Sequence, residues 1–385
     1  MAGFKTLARV GVLAAAALRG SATLADNSTD PLTAINITAP DGSARASFIA
    51  HGATATSLWV PDKYGEFRDI LVGYEDKSLY VSPRNFFAPI VGRYANRIRN
   101  GTFTIPVSKN ATGPGELYQV PKNEHNGTNS LHGGDEGFDT RIWSIVDNGT
   151  DFVSFSMVDP AGTEGFPGTV ITTITYSLGN SSIFNMSIQA TATEATPILL
   201  SAHQFFNLEA YEETQDLSGH ILQINSSKII ATDGNLIPNG SFVEVEGTPL
   251  DFRTAKSIGD SINATAEAQY CGTDCVGFDN AWIYDNNTGD APVVSVWSEN
   301  SGIRLDVVTN QPALQIYSCN AMDPTPRKNS QGGPDAVVED YSCFVFEQES
   351  YLDAINNPEF GIDQIYGPNR PYFWHSSYIF SVVDE

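Results

Sequence analysis

Positive charge is what this chain has least of. Its 385 residues hold 21 Lys and Arg against 45 Asp and Glu, with six His, four Cys, four Met and five Trp. A surface so acidic repels polyanions, which disfavours nucleic acid, anionic membrane and phosphorylated small molecules as partners. A neutral or cationic small molecule suits it better, although solubility in an acidic extracellular medium explains the charge equally well. Long apolar runs are also missing: only Val10–Leu18 (VGVLAAAAL) is continuous, shorter than the roughly twenty residues that a membrane span requires. Twelve-residue amphipathic helical patterns are absent beyond it.

The short apolar run follows Lys5 and Arg9 and precedes small residues ending near Ala25, the layout of a secretory signal over residues 1–25. With Lys5, Arg9 and Arg19 removed, 18 basic residues face 45 acidic ones, a net charge of −27. Export agrees with an excess of Asn-x-Ser/Thr sequons, at Asn27, Asn36, Asn110, Asn126, Asn148, Asn180, Asn185, Asn225, Asn239, Asn263 and Asn286, and implies a glycosylated surface. The four cysteines, Cys271, Cys275, Cys319 and Cys343, are even in number, which in an exported chain favours disulfides. Three connectivities are possible, and Cys271–Cys275 with Cys319–Cys343 is preferred. Their spacing and the lack of nearby histidines disfavour zinc.

Strand signals dominate the remainder. FVSFSMV (152–158), TVITTITYSL (169–178), SIFNMSIQATAT (182–193) and GIRLDVVTN (302–310) alternate or are rich in β-branched and aromatic residues, and Gly/Asn/Asp/Pro clusters separate them. This pattern predicts an all-β chain, a large antiparallel sandwich formed by one domain over 26–385. DPTPRKNSQGGPDAVVED (323–340) reads as a long polar surface loop.

Four clusters carry chemistry. VGRYANRIRNG gathers Arg93, Arg97 and Arg99; NSLHGG places His132 before two glycines, which suit close approach of backbone to a ligand. In AHQFFNLEA, alternation puts His203, Phe205 and Asn207 on one face. In CFVFEQESYLDAINNP an apolar strand ends at Glu347, with Glu349 on the same side. Each has a plain alternative: ion-paired arginines, a hydrogen-bonded core histidine, a glutamate where a strand meets water. Their conjunction in a chain so poor in His and Arg points to one site.

The ordered runs FFAPIVGRYANRIRNGTF, NSLHGGDEGFDTRIW, GTEGFPGTVITTITYSL, TPILLSAHQFFNLEA, LIPNGSFVEVEGTPLDF, TNQPALQIYS and FEQESYLDAINNPEF resemble the landmarks of the aldose 1-epimerase (galactose mutarotase) family, from about residue 35 onward. With the export signals, the resemblance is to a secreted eukaryotic member, fungal in kind. It implies a β-supersandwich with an open sugar cleft and neither metal nor cofactor. It implies that His203 is the general acid and Glu347 the general base. Asn96, Arg97, His132, Asp279 and Gln311 become sugar-contacting residues, with Phe166 an aromatic near the cleft. The chain departs from the family pattern at Ala202, at Phe205 in place of tyrosine, at Glu347-Gln348-Glu349, and at Leu352 in place of proline. These changes bear on substrate preference and rate more than on the reaction.

Interconverting the anomers of an aldohexose such as galactose or glucose needs one proton removed from the C1 hydroxyl and one delivered to the ring oxygen, then the reverse on the other face. A carboxylate and an imidazole suit this exchange. Glu347 is expected to start ionised and His203 protonated, with Glu349 raising the pKa of Glu347 and acidic neighbours that of His203. Two other readings use the same fold. A secreted hydrolase or lyase would employ Asp279 and Glu347 as its two carboxylates, and a non-catalytic sugar-binding protein would keep only the cleft. Neither gives the histidines a role. A phosphosugar epimerase conflicts with the acidic charge. A monomer or weak dimer is expected.

Overall fold

The computed structural model describes residues 30–383, apart from 83, 84 and 269. The expected signal, residues 1–25, and the sequon at Asn27 lie outside the described residues. Strand follows strand along the rest, broken by single 3-10 turns and one short α-helix, Ile258–Ala264, whose first turn is capped by the Ser257 hydroxyl accepting from the Asp260 amide at 3.1 Å. No described helix is long and apolar enough to cross a membrane.

Alternation builds the larger sheet. In Val170–Gly179 the side chains of Val170, Thr172, Ile174, Tyr176 and Leu178 point inward while their neighbours are exposed or half-buried. That strand pairs antiparallel with Phe152–Asp159 on one side and Ile183–Ala192 on the other, setting Phe155, Ile174 and Ile188 in one row. The sheet continues through Tyr372–Val382 and Ile303–Thr309 to nine strands. All four strands read from the sequence are present, within a residue or two at their ends.

A six-stranded sheet packs across it, with Gln204–Phe206, Phe344–Glu349, Ala313–Tyr317 and Asp279–Ile283 as neighbours in that order. The two layers share one apolar core: Phe206 lies against both Phe344 and Tyr378, and the Tyr378 hydroxyl and Trp374 indole donate to the carbonyls of Phe346 and Gln348. Burying each such aromatic contributes roughly 1.5–3 kcal/mol. The strand Phe344–Glu349 is therefore buried along its full length. Phe344, Phe346 and Gln348 face the large sheet. Val345, Glu347 and Glu349 face the other way, so Glu347 lies inside the strand and not at its end.

Both disulfides pair as preferred, Cys271–Cys275 and Cys319–Cys343. The segment 323–340 is not a free surface loop. Lys328 reaches inward to the Asp69 carboxylate (2.6 Å) and the Thr56 carbonyl, and Gln331 donates to the carbonyls of Asp69 and Leu71. Its polar residues face polar partners in the protein, which composition alone does not reveal.

Candidate active site

The central residues are brought together by strand register. Gln204 lies opposite Phe346, so the preceding residue, His203, falls beside Glu347; Gln315 lies opposite Glu347 on its other flank. His203 Nε2 is 3.5 Å from Glu347 Oε1, and both side chains are almost fully enclosed. One residue pair further, the Gln315 amide donates to Asp279 Oδ1 from the adjacent strand. Glu347 Oε2 and Gln315 Oε1 are buried without a hydrogen-bond partner among the described residues. Glu347 lines the cleft, so its unpaired carboxyl oxygen fits a ligand that brings hydroxyl groups.

The opposite wall is a short ladder pairing Arg97–Ile98 with Ser130–Leu131. Asn96 and His132 flank it, and both have left-handed backbones (φ 52° and 51°), an arrangement that non-glycine residues keep only where the surroundings enforce it. The enforcement is reciprocal. The His132 amide donates to the Asn96 carbonyl (2.9 Å), and the Asn96 amide donates to His132 Nδ1 (3.1 Å). Neutral His132 thus carries its proton on Nε2. The glycine after it serves the backbone, not a ligand: at Gly133 (φ 95°) an added Cβ would lie 2.1 Å from the Gly92 carbonyl oxygen.

Together these walls enclose about 410 Å³, lined by Asn96, Arg97, His132, His203, Asp279 and Glu347, with Phe86, Phe205, Tyr317 and Met322 as apolar surface. That is the volume range of small-molecule sites, ~300–1,000 Å³. Phe86 packs edge-on to His132 (5.0 Å between centroids) and His132 edge-on to His203 (5.1 Å), so aromatic contact fixes both imidazoles.

Burial dominates the electrostatics. It raises Glu347 well above the ordinary carboxylate value, with the Asp279 charge adding to the rise and Arg97 opposing it. Glu349 is raised likewise, first by burial and then by Glu347, while Asn96 Nδ2 donates to it at 2.7 Å. Burial also pushes His203 down to about 4. His132 falls well below its ordinary value through burial, then through His203 and Arg97. Burial therefore favours the neutral pair, protonated Glu347 beside neutral His203, over the ion pair. This differs from the expectation of an ionised Glu347 and a protonated His203: desolvation outweighs the acidic surroundings, and Asp279 joins Glu349 as a carboxylate close to Glu347.

Not every expected residue arrives. Gln311 lies on the turn before Ala313–Tyr317, its amide donating to Asn310 Oδ1, and it does not line the cleft; the second glutamine of TNQPALQ, Gln315, lies opposite Glu347 and donates to Asp279 from behind the cleft lining. Phe166 is buried in a separate cluster against Phe103, 5.4 Å beneath the Arg93 guanidinium. Arg93 is structural, ion-paired with Asp159 at 2.6 Å and almost wholly buried. Asn207 staples a turn through the Glu209 and Tyr211 amides. Sequence reasoning missed Phe86, although it stands in the quoted FFAPIVGRYANR run. It also missed Glu124, whose carboxylate grips Arg97, and the Cys271–Cys275 bridge as part of the cleft wall.

His132, His203 and Glu347 offer donor atoms within 4.8 Å of one another, enough in number for a cation. Their hydrogen bonding speaks for a different use. With Nδ1 of His132 accepting from Asn96, its Nε2 is a donor, and the Arg97 guanidinium shares the same cleft. The set fits a polyhydroxylated neutral ligand better than a metal ion.

Comparison with known proteins agrees. Residues 34–378 match the family described as aldose 1-epimerase. The chain is 38% identical to a probable aldose 1-epimerase of the fungus Arthroderma benhamiae, over 92% of this chain and 87% of that protein. It is 32% identical to the galactose mutarotase of Sus scrofa, over 88% and 92% respectively. Among solved structures, an aldose epimerase homologue from C. elegans superposes with a TM-score of 0.79 at 25% identity, covering 91% of this chain and 99% of that one. Fold, cleft and sequence together place this chain in the aldose 1-epimerase family.

Proposed function

We propose that this protein is an aldose 1-epimerase that interconverts the α and β anomers of free aldohexoses such as galactose and glucose, with His203 and Glu347 as the proton-transfer pair. The observation that carries the reading is the 3.5 Å approach of His203 Nε2 to Glu347 Oε1 at the floor of a cleft whose walls offer Arg97, His132 and Asp279.

The two groups share one transferable proton. With it on His203, the closed sugar is ready: Glu347 takes the C1 hydroxyl proton, His203 gives its own to the ring oxygen, and the C1–ring oxygen bond breaks. The aldehyde is left beside protonated Glu347 and neutral His203. Rotation about C1–C2 presents the other face, and closure returns both protons. The neutral pair that burial favours is thus the arrangement that accompanies the open-chain sugar. A proton moving from Glu347 to His203 prepares the pair for a closed ring without change of net charge; burial disfavours the two charges so formed, and their 3.5 Å approach offsets part of that cost. Neutral His132 and cationic Arg97 donate to sugar oxygens, Asp279 accepts from hydroxyls, and Phe86 and Phe205 pack on the apolar face of the ring.

Polarimetry of freshly dissolved α-D-galactose and α-D-glucose tests this reading. A rate above the spontaneous one, abolished in His203→Ala, is expected; an unaccelerated approach to equilibrium for every aldose refutes it.

The same proposal takes the protein to be a secreted, N-glycosylated eukaryotic enzyme of one domain with residues 1–25 removed. Supporting it are the signal-like N-terminus, the two disulfides, and the exposure of nine of the ten described sequons, Asn185 being half-buried with its Oδ1 accepting from Ser377. Removal of N-glycans from the secreted protein should shift its mobility; an unshifted band in a secreting host counts against it.

A further inference from the structure

Arg97 faces the cleft already engaged. Its Nε lies 2.9 Å from both carboxylate oxygens of Glu124, and its Nη2 lies 2.6 Å from Oε1. Nη1 contacts Asn96 Oδ1 at 3.4 Å, and Asp279 Oδ2 stands 3.8 Å from Nη2. The guanidinium is therefore clasped in two-point fashion, the strong geometry for an arginine and a carboxylate, with one edge left to donate. Glu124 comes from the loop at 121–129, closed by the pairing of Glu124 with Asn129, so it is presented at the cleft and not merely near it. Its side chain is 14% exposed, placing the pair where solvent screens it only partly.

The consequence concerns charge. An arginine in a sugar cleft would be a ready anchor for a carboxylate on the ring, the C6 group of a hexuronic acid. Here that anchor is occupied, and Asp279 adds a second carboxylate close to the same cation. A uronate must displace Glu124 or sit beside two acids with one arginine between them. We propose that Glu124 is a selectivity residue that reserves the cleft for uncharged aldoses by holding Arg97, so that its removal admits hexuronic acids. The inference rests on the aldose 1-epimerase reading of the site.

The test compares mutarotation of α-D-galacturonate and α-D-galactose, followed by polarimetry or proton NMR at pH 6, in the unaltered protein, Glu124→Gln and Glu124→Ala. The unaltered protein is expected to act on galactose and poorly on galacturonate. In both variants the ratio of kcat/KM for galacturonate to that for galactose should rise at least about tenfold, equivalent to about 1.4 kcal/mol. The gain should come mainly through KM and shrink in 0.5 M salt. A ratio unchanged within twofold in both variants overturns the proposal. So does a loss of galactose activity with galacturonate still inert, since Glu124 would then be needed to position Arg97 for any sugar. Failure of the unaltered protein on every aldose overturns the epimerase reading itself, a distinct result.

Discussion

Replacing Glu347 by glutamine separates what this carboxyl does in catalysis from what it costs the fold. The amide has nearly the same shape and, like the protonated acid at rest, carries no charge, but it cannot accept a proton from the C1 hydroxyl. Loss of one partner in general acid–base catalysis lowers the rate about 10²–10⁴-fold, or about 2.7–5.4 kcal/mol in the barrier. Stability should move the other way. Burial holds the folded carboxyl well above its ordinary value, while in the unfolded chain it ionises near 4.3. Between those two values the folded protein binds the extra proton, so the contribution of this site to stability falls as pH rises through that window. Glutamine removes the dependence. Thermal unfolding of Glu347→Gln should therefore match the unaltered protein near pH 4 and equal or exceed it at pH 7, with mutarotation of galactose lowered about 10²-fold or more at pH 7. A variant that keeps full activity removes the base from the mechanism. One that unfolds at lower temperature at pH 7 refutes the claim that the carboxyl is buried against its own ionisation.

Further outcomes follow from the same geometry. The pH profile of kcat/KM should fall on the acid side with an apparent pKa near 4, where His203 takes a second proton onto the pair, and stay flat through 6.5; a midpoint at 6–6.5 contradicts the burial argument. Asp279→Asn should raise KM for galactose about tenfold or more and shift the alkaline limb to lower pH, because the Asp279 charge helps hold the Glu347 proton; an unmoved limb separates the two carboxylates. Arg93→Ala leaves Asp159 buried without its partner and should destabilise by about 3–5 kcal/mol, read by denaturant unfolding. Gly133→Ala forces a Cβ against the Gly92 carbonyl and should cost about 2–4 kcal/mol while displacing His132; wild-type stability would show that the turn yields.

Local pattern carried the strands well, because alternation reports which side of a sheet is dry, and Val170–Gly179 shows it residue by residue. It failed where polarity came from tertiary partners. The polar stretch 323–340 buries Lys328 because Asp69, 259 residues away, awaits it. Phe166 and Arg93 carry residue types that suit a sugar site, yet they serve each other in the core. Gln311 and Gln315 share one motif, and only the register opposite Glu347 distinguishes them. Glu124 was invisible for a related reason: nothing local in KNEHNGTN announces that its carboxylate will meet an arginine 27 residues earlier.

The protonation of the site shows why register matters more than residue identity here. An imidazole and a carboxyl in water differ by about two pKa units in favour of the charged pair. In the cleft, burial penalises both charges at once, lifting Glu347 and lowering His203, so the neutral arrangement overtakes the ion pair. A reaction that opens and closes a ring must pass through both arrangements in each turnover, and a strong preference for either would stall one half of it. Arg97 and Asp279, engaged with the same pair from opposite signs, keep the two within reach of each other. Shifting the strand Gln204–Phe206 by one residue against Phe344–Glu349 would turn His203 to the other face and leave Glu347 protonated with no base beside it, with every residue of the site still present in the sequence.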